Sequence, residues 1–128
     1  METRVAKHRV LLVEDETLVR ELVAEVLSDA GYQVAEASTG DEAAALIEAP
    51  GGFDLVLTGI EMPGRLDGVA VARRARVLRP DVPVVFVSGC AEERARTTRH
   101  LGQPCVFIPK PFRLSWVLAA ARRLVARG

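Results

Sequence analysis

The sequence predicts an α/β domain in which five parallel strands alternate with five helices, a doubly wound (βα)5 sheet with helices on both faces. Short apolar runs of strand length alternate with segments of helical period, and no internal repeat or low-complexity linker interrupts them. The 128 residues are 49% hydrophobic and 27% charged, which is typical of a globular domain. We expect residues 1–8 to form a short tail and residues 9–128 a single domain.

The first strand and helix have the clearest signals. Arg9 to Val13 is a run of β-branched and leucine residues, and Asp15 follows it as a candidate helix cap. From Glu16 to Ala30 apolar residues recur at spacings of three and four, which predicts an amphipathic helix that Gly31 ends. Tyr32 to Ala37 is the second predicted strand.

The remaining elements follow from the same two periodicities and from proline and glycine breaks. The second helix is predicted to begin at Ser38 or Thr39 and to end at Pro50. The later bounds are strand 3 at Leu55 to Thr58, helix 3 near Asp67 to Leu78, strand 4 at Val84 to Ser88, helix 4 at Ala91 to His100, strand 5 at Cys105 to Ile108 and helix 5 at Arg113 to Ala126.

Composition excludes several classes of protein. The two cysteines, Cys90 and Cys105, are too few for a disulfide framework, which favours a reducing cytoplasm. The apolar runs are far shorter than the ~20 residues that span a bilayer, so no membrane contact is expected. The run after the basic N-terminus is also too short for a signal peptide.

The formal net charge is zero, but the charges are segregated along the chain. Residues 1–62 hold 13 acids and 4 bases, whereas residues 63–128 hold 4 acids and 13 bases. A basic half can bind nucleic acid, which leaves a DNA-binding module as one alternative. Since no aromatic residue is interleaved with the arginines, solvated helix faces are the preferred interpretation, and direct nucleic-acid binding is not expected.

Chemically active side chains follow the predicted strands, where ligands of parallel sheets bind. Strand 1 leads into Glu14 and Asp15, strand 4 ends at Ser88, and Lys110 follows strand 5. Hard cations take oxygen ligands, and lysine is a point charge for phosphate. This edge of the sheet therefore predicts a site for a divalent cation and a phosphoryl group.

Four motifs in order, VLLVEDE, FDLVLTGIEMPG, VVFVSG and FIPKPF, resemble those of the response-regulator receiver domains of bacterial two-component signalling. The resemblance covers residues 9–126 and implies the flavodoxin-like strand order 2-1-3-4-5. It implies metal ligation by Glu14, Asp15 and the backbone carbonyl of Glu61. It also implies a phosphoryl site with Thr58, Ser88 and Lys110, and a switch aromatic at Phe107.

One position departs from the family pattern. The phospho-accepting aspartate should stand three residues before Met62, where this chain has Gly59. Without a carboxylate there is no nucleophile and no acyl phosphate, so no phosphorylation is expected and no catalytic residue is assigned. The missing acid also weakens the metal site, so we expect no tightly bound cofactor and at most weak Mg²⁺. The sequence does not separate a natural loss from an introduced replacement.

The resemblance implies a signalling module that acts by protein contact and is not an enzyme. Its expected partners are a histidine kinase, a phosphotransfer domain or an output domain. A homodimer through helix 4, strand 5 and helix 5 is a further possibility. The docking face would carry Arg94, Arg96, Arg99, Phe107 and Arg113.

Simpler interpretations stay open for several of these residues. Glu14 and Asp15 could serve only at the start of helix 1, and Phe107 could be ordinary core packing. Lys110, without an acid at position 59, should contact Glu14 or Asp15. A small phosphate- or nucleotide-binding enzyme on the same scaffold is the other alternative, although no glycine-rich phosphate loop follows any strand.

Overall fold

A computed structural model describes residues 8–101 and 106–125. Within them, five parallel strands form one sheet in the order β2-β1-β3-β4-β5, with a helix after each strand. The predicted fold class is confirmed. The elements are β1 (Arg9–Val13), α1 (Thr17–Asp29), β2 (Gln33–Ala37), α2 (Gly40–Glu48), β3 (Leu55–Gly59), α3 (Gly68–Leu78), β4 (Val84–Ser88), α4 (Ala91–Leu101), β5 (Val106–Pro109) and α5 (Leu114–Val125).

Two local predictions need correction. The cap of α1 is Glu16, not Asp15, because the Glu14 carboxylate accepts a hydrogen bond from the Glu16 amide at 3.1 Å and draws the turn one residue further. Strand β3 extends one residue beyond the prediction, since Gly59 pairs in register with Val87 of β4.

Other bounds differ by one or two residues. Strand β2 begins at Gln33 rather than Tyr32, and α5 begins at Leu114 rather than Arg113. The predicted end residues Cys105 and Ala126 lie outside the described residues, as does most of the predicted tail. The division into tail and domain stays a prediction.

The sheet has an apolar layer on each face. Strands β1, β3 and β4 are buried along nearly their whole length, as expected for parallel strands covered on both sides. Alternate residues divide between two clusters. One packs Leu12, Leu55 and Leu57 against α1 and α5, and the other packs Leu11, Val56 and Phe86 against α2 and α3.

The two charge-segregated halves pair with each other in the fold. Arg74 of α3 contacts Glu48 of α2 at 3.4 Å, and Arg96 of α4 contacts Glu61 at 3.5 Å. Each ion pair joins a base of the second half to an acid of the first. Part of the basic surface is therefore neutralised within the domain. Among the described residues, no helix is long and apolar enough to cross a bilayer.

Two glycines allow α2 and α3 to pack against backbone. A Cβ atom at Gly40 would lie 2.0 Å from the carbonyl oxygen of Leu66, and one at Gly68 would lie 1.8 Å from that of Gly59. Both helices are capped by the preceding side chain, since Thr39 accepts from the Glu42 amide and Asp67 from the Ala70 amide. The start of α3 is thus fixed against the end of β3.

Asp54 organises the opposite edge of the sheet, where the strands begin. Its carboxylate accepts from the Arg9 amide at 2.8 Å and from Arg79 Nη1 at 2.9 Å, and His8 Nδ1 lies 3.8 Å away. Partial burial alone would raise the pKa of Asp54, but the amide and the guanidinium outweigh it and hold the pKa below its ordinary value of 3.8. Ionised Asp54 therefore stabilises the fold.

Asp54→Asn is expected to lower the free energy of unfolding at pH 7 by about 1–2 kcal/mol, because hydrogen bonds to a charged acceptor are lost and the side chain is 34% exposed. The pKa is lowered on folding, so the contribution is present above pH 3.8 and fades as the pH falls further. Urea unfolding of Asp54→Asn and the unsubstituted chain, at pH 7 and at a pH below 3.8, measures this difference in stability.

Asp81→Asn is the matched control for this prediction. Asp81 contacts the same Arg79 at 3.5 Å but is 86% exposed, so the expected change is below about 0.5 kcal/mol. Equal effects of the two variants would contradict the assignment of Asp54 as the organising acid.

Candidate functional site

Glu14 is the buried acid at the carboxyl edge of the sheet. It directly follows β1, is 4% exposed, and accepts from the Glu16 amide. Its own amide donates to Ala37 O at 3.0 Å, and its carbonyl accepts from Arg20 Nη1 at 2.9 Å. Both the main chain and the side chain of Glu14 are therefore held in place.

Lys110 reaches this acid from the loop after β5. Its Nζ lies 4.0 Å from Glu14 Oε1 and 3.9 Å from Glu16 Oε1, and its amide donates to Ser88 O at 2.9 Å. The predicted contact with Glu14 is confirmed. The second acid, Glu16, was missed, although its place two residues after Glu14 was a signal that both carboxylates could reach one ammonium group.

Burial dominates the electrostatics of Glu14. Desolvation raises the pKa of this carboxyl above its ordinary value of 4.5, and the Glu16 amide and the Lys110 ammonium group offset only part of that effect. The neighbouring charge of Asp15 acts in the same direction as burial. The ionised form of Glu14 is thus less favourable in the folded chain than in the unfolded chain.

Glu14→Gln is therefore expected to stabilise the domain slightly at pH 7, by less than about 1 kcal/mol because the ion pair with Lys110 is lost as well. A carboxyl whose pKa is raised on folding contributes stability below pH 4.5 and loses it as the pH rises through the folded pKa. The gain should disappear at acidic pH. Thermal unfolding of both proteins is measured at pH 7 and at a pH below 4.5. Destabilisation of the variant at pH 7 would contradict the prediction.

Thr58, Gly59 and Ser88 lie at the ends of the two central strands. Thr58 is 1% exposed, and its hydroxyl donates to Gly59 O at 2.8 Å. Gly59 is buried, and a Cβ atom added there would meet one neighbour, Met62 Sδ, at 3.1 Å. The backbone at residue 59 is outside the left-handed region. This position therefore accommodates a side chain if the end of Met62 moves slightly.

Ser88 is 2% exposed and ends β4. Its hydroxyl lies 2.9 Å from Cys90 O and 3.1 Å from Glu93 Oε1. Glu93, in the first turn of α4, is a residue that the sequence analysis missed. Its place three residues after Cys90, in a helix with two acids at the start, was the available signal.

The groups at this edge that could hold Mg²⁺ are two adjacent carboxylates and the predicted backbone carbonyl of Glu61. Asp15 is exposed, the Glu14 carboxylate already binds the Glu16 amide, and the Glu61 side chain turns to Arg96 at 3.5 Å. Within the described parts of the chain, no three acid, histidine or cysteine side chains come together. Mg²⁺ is usually held by one or two carboxylates and keeps several waters, so Glu14 and Asp15 are the side chains that could hold it here.

The predicted docking face is partly assembled. Phe107 is half-buried and stacks on Phe86 at 5.7 Å between ring centroids. It also lines a groove of about 360 Å³ with the 43% exposed Trp116 of α5. Arg99 and Arg113 are exposed, whereas Arg96 is exposed but turned toward Glu61. The Arg94 side chain lies outside the described residues.

A second cleft, of about 450 Å³, opens beside Lys110. It lies between α1 and the loop that begins α5, and its lining includes Glu16, Leu22, Lys110 and Phe112. Leu22 is 42% exposed. The charged end of the cleft is thus the ion-pair group at the carboxyl edge.

The family model of the response regulator receiver domain matches residues 10–122. The chain belongs to this family. The receiver protein CpdR of Brucella abortus (strain 2308) is 36% identical over 107 residues, which cover 83% of this chain and 87% of CpdR. The sensor kinase CckA of the same strain is 36% identical over 119 residues, which cover 92% of this chain and 12% of CckA.

Longer relatives contain the same domain as one of their parts. MprA of Mycolicibacterium vanbaalenii is 36% identical over 119 residues, which cover 93% of this chain and 51% of MprA. A receiver protein structure from Sinorhizobium medicae WSM419 superposes with a TM-score of 0.83 at 30% identity, covering 94% of this chain and 95% of that one. The receiver is a signalling domain of two-component systems, where such domains interact with histidine kinases and output domains.

Proposed function

We propose that this receiver domain signals by protein contact without carrying a phosphoryl group at the end of β3. The observation that supports the proposal is Gly59. It lies at the carboxyl end of β3, one residue past Thr58, and the resemblance of the motif implies that the phospho-accepting aspartate of other receivers stands at this position. Glycine has no side chain that could act as a nucleophile. Thr58, Ser88 and Lys110 then remain as the accessories of the phosphoryl site.

The charge balance at this edge is consistent with a phosphate-free state. In the absence of an acid at residue 59, Lys110 is paired with Glu14 and Glu16. Mg²⁺ binding through Glu14, Asp15 and the Glu61 carbonyl would be weak at most, because the acid that the family pattern adds at residue 59 is missing. The domain would need no tightly bound cofactor and catalyse no reaction of its own.

The proposed docking surface is the face of α4, β5 and α5. The groove between Phe107 and Trp116 supplies apolar area, and Arg99 and Arg113 supply exposed positive charge. Its occupant would be a histidine kinase, a phosphotransfer domain, an output domain or a second copy of the chain. Phe107 would act there as a docking residue, since a switch aromatic needs phosphorylation to trigger it.

Intact mass measurement tests the proposal directly. Incubation with a small-molecule phosphodonor and Mg²⁺ is expected to leave the mass unchanged, because the carboxylates of Asp54 and Glu61 are both paired with arginines. Asp54 binds Arg79 at the other edge, and Glu61 binds Arg96. Gly59→Asp serves as the positive control and should gain one phosphoryl group. One added phosphoryl group on a carboxylate of the unsubstituted chain would refute the proposal.

A further inference from the structure

The loop between β4 and α4 contains a carboxylate of the chain itself. Glu93 Oε1 lies 3.1 Å from Ser88 Oγ and accepts a hydrogen bond from the Gly89 amide at 3.3 Å. Ser88 is buried and Glu93 is half-buried, whereas Gly89 is exposed. Two donors that are adjacent in sequence thus converge on one carboxylate oxygen.

The Ser88 hydroxyl is engaged both as a donor and as an acceptor. It has a single proton, with Cys90 O at 2.9 Å and Glu93 Oε1 at 3.1 Å as the two acceptors in reach. A hydrogen bond to an ionised acceptor is roughly twice as strong as one to a neutral carbonyl, which favours donation to Glu93. The Cys90 amide, at 3.3 Å, donates to the same hydroxyl oxygen.

We propose that Glu93 is the resident anion of this loop, and that its carboxylate competes with phosphate and similar oxyanions for the Ser88 hydroxyl and the Gly89 amide. A negative charge already bound to both donors repels a second anion and removes its hydrogen bonds. The charge of the nearby Lys110 is likewise balanced within the chain, since its ammonium group lies beside Glu14 and Glu16. This inference is independent of the residue at position 59.

A helix cap is the alternative explanation of the same contacts. Glu93 is the third residue of α4, and acids there commonly accept from the preceding amides. Capping predicts that removal of the carboxylate weakens α4. Competition predicts, in addition, that the vacated donors bind anions more tightly. The gain of a binding property separates the two.

The experiment is a titration of the ¹⁵N-labelled chain with inorganic phosphate, followed by the amide resonance of Gly89. Glu93→Ala removes the acceptor, Glu93→Gln keeps a neutral acceptor that can still cap the helix, and Glu92→Gln removes the adjacent exposed charge as the matched control. If the contact is formed about nine-tenths of the time, its loss should raise the apparent phosphate affinity about tenfold.

The expected result is a saturable shift of Gly89 in Glu93→Ala, a smaller one in Glu93→Gln, and almost none in the unsubstituted chain or in Glu92→Gln. Ser88→Ala, added to Glu93→Ala, should abolish the shift. Equal responses of the Glu92 and Glu93 variants, or no response of Glu93→Gln, would overturn the inference. Since Gly59 is retained in every variant, such a failure would leave the proposal on phosphorylation intact.

Discussion

Gly59→Asp is expected to make the domain responsive to Mg²⁺. A third carboxylate within roughly 5 Å of either acid at the end of β1 costs about 3 kcal/mol at an effective dielectric constant of 20. Replacing glycine in a strand returns only about 0.5–1 kcal/mol, so the metal-free variant should be less stable. Mg²⁺ at about 100 times its dissociation constant should then restore ~2.7 kcal/mol. The unsubstituted chain should respond weakly.

Gly59→Asn is the matched control, because it adds the same volume beside Met62 Sδ without a charge. Thermal unfolding with and without Mg²⁺ is measured for all three proteins. A metal response confined to the aspartate variant supports the site. Equal responses of Gly59→Asp and the unsubstituted chain would show that the metal binds elsewhere.

Gly68→Ala is expected to destabilise the fold by about 3 kcal/mol or more, at the upper end of overpacking effects. The added Cβ would lie 1.8 Å from the carbonyl oxygen of Gly59, so backbone must move. The gain in helix propensity opposes this by at most about 1 kcal/mol. The hydrogen bond from the Gly68 amide to Ile60 O, 2.7 Å long, would be strained by the same movement.

Gly89→Ala provides the comparison, since nothing lies within 4 Å of a Cβ atom built there. The urea midpoint should fall strongly in Gly68→Ala and little in Gly89→Ala, with an unchanged denaturant slope in the second variant. A small effect at Gly68 would mean that α3 moves away from β3 without cost.

The strands and helices could be predicted from the sequence because their signals are local. Apolar runs such as Val10 to Val13 are buried on both faces, so they read as strands without alternation, and the 3.6-residue period of α1 follows its single buried face. The four motifs predict that Glu14, Ser88 and Lys110 share one edge of the sheet, because each residue lies at or just after the end of a parallel strand. The contact between Lys110 and Glu14 followed from that topology.

The remaining features depend on side-chain positions that no periodicity encodes. The start of α1 is displaced from Asp15 because Glu14 turns its carboxylate back to an amide of its own chain. Glu93 bends to the end of the preceding strand, and Arg96 turns across to Glu61 rather than toward β5. Each of these side chains has several polar groups within reach, and only the packed structure shows which of them it contacts.

Polar contacts to neighbouring loops, together with the half-buried Leu101 on the apolar cluster of α2 and α3, attach the described part of α4 to the domain. Among its described side chains only Thr97 is fully buried, while Glu93 and Arg96 are tied to the neighbouring loops. Ionic strength, which screens exposed charges, should therefore loosen the attachment of α4 where it depends on the exposed pair of Arg96 and Glu61.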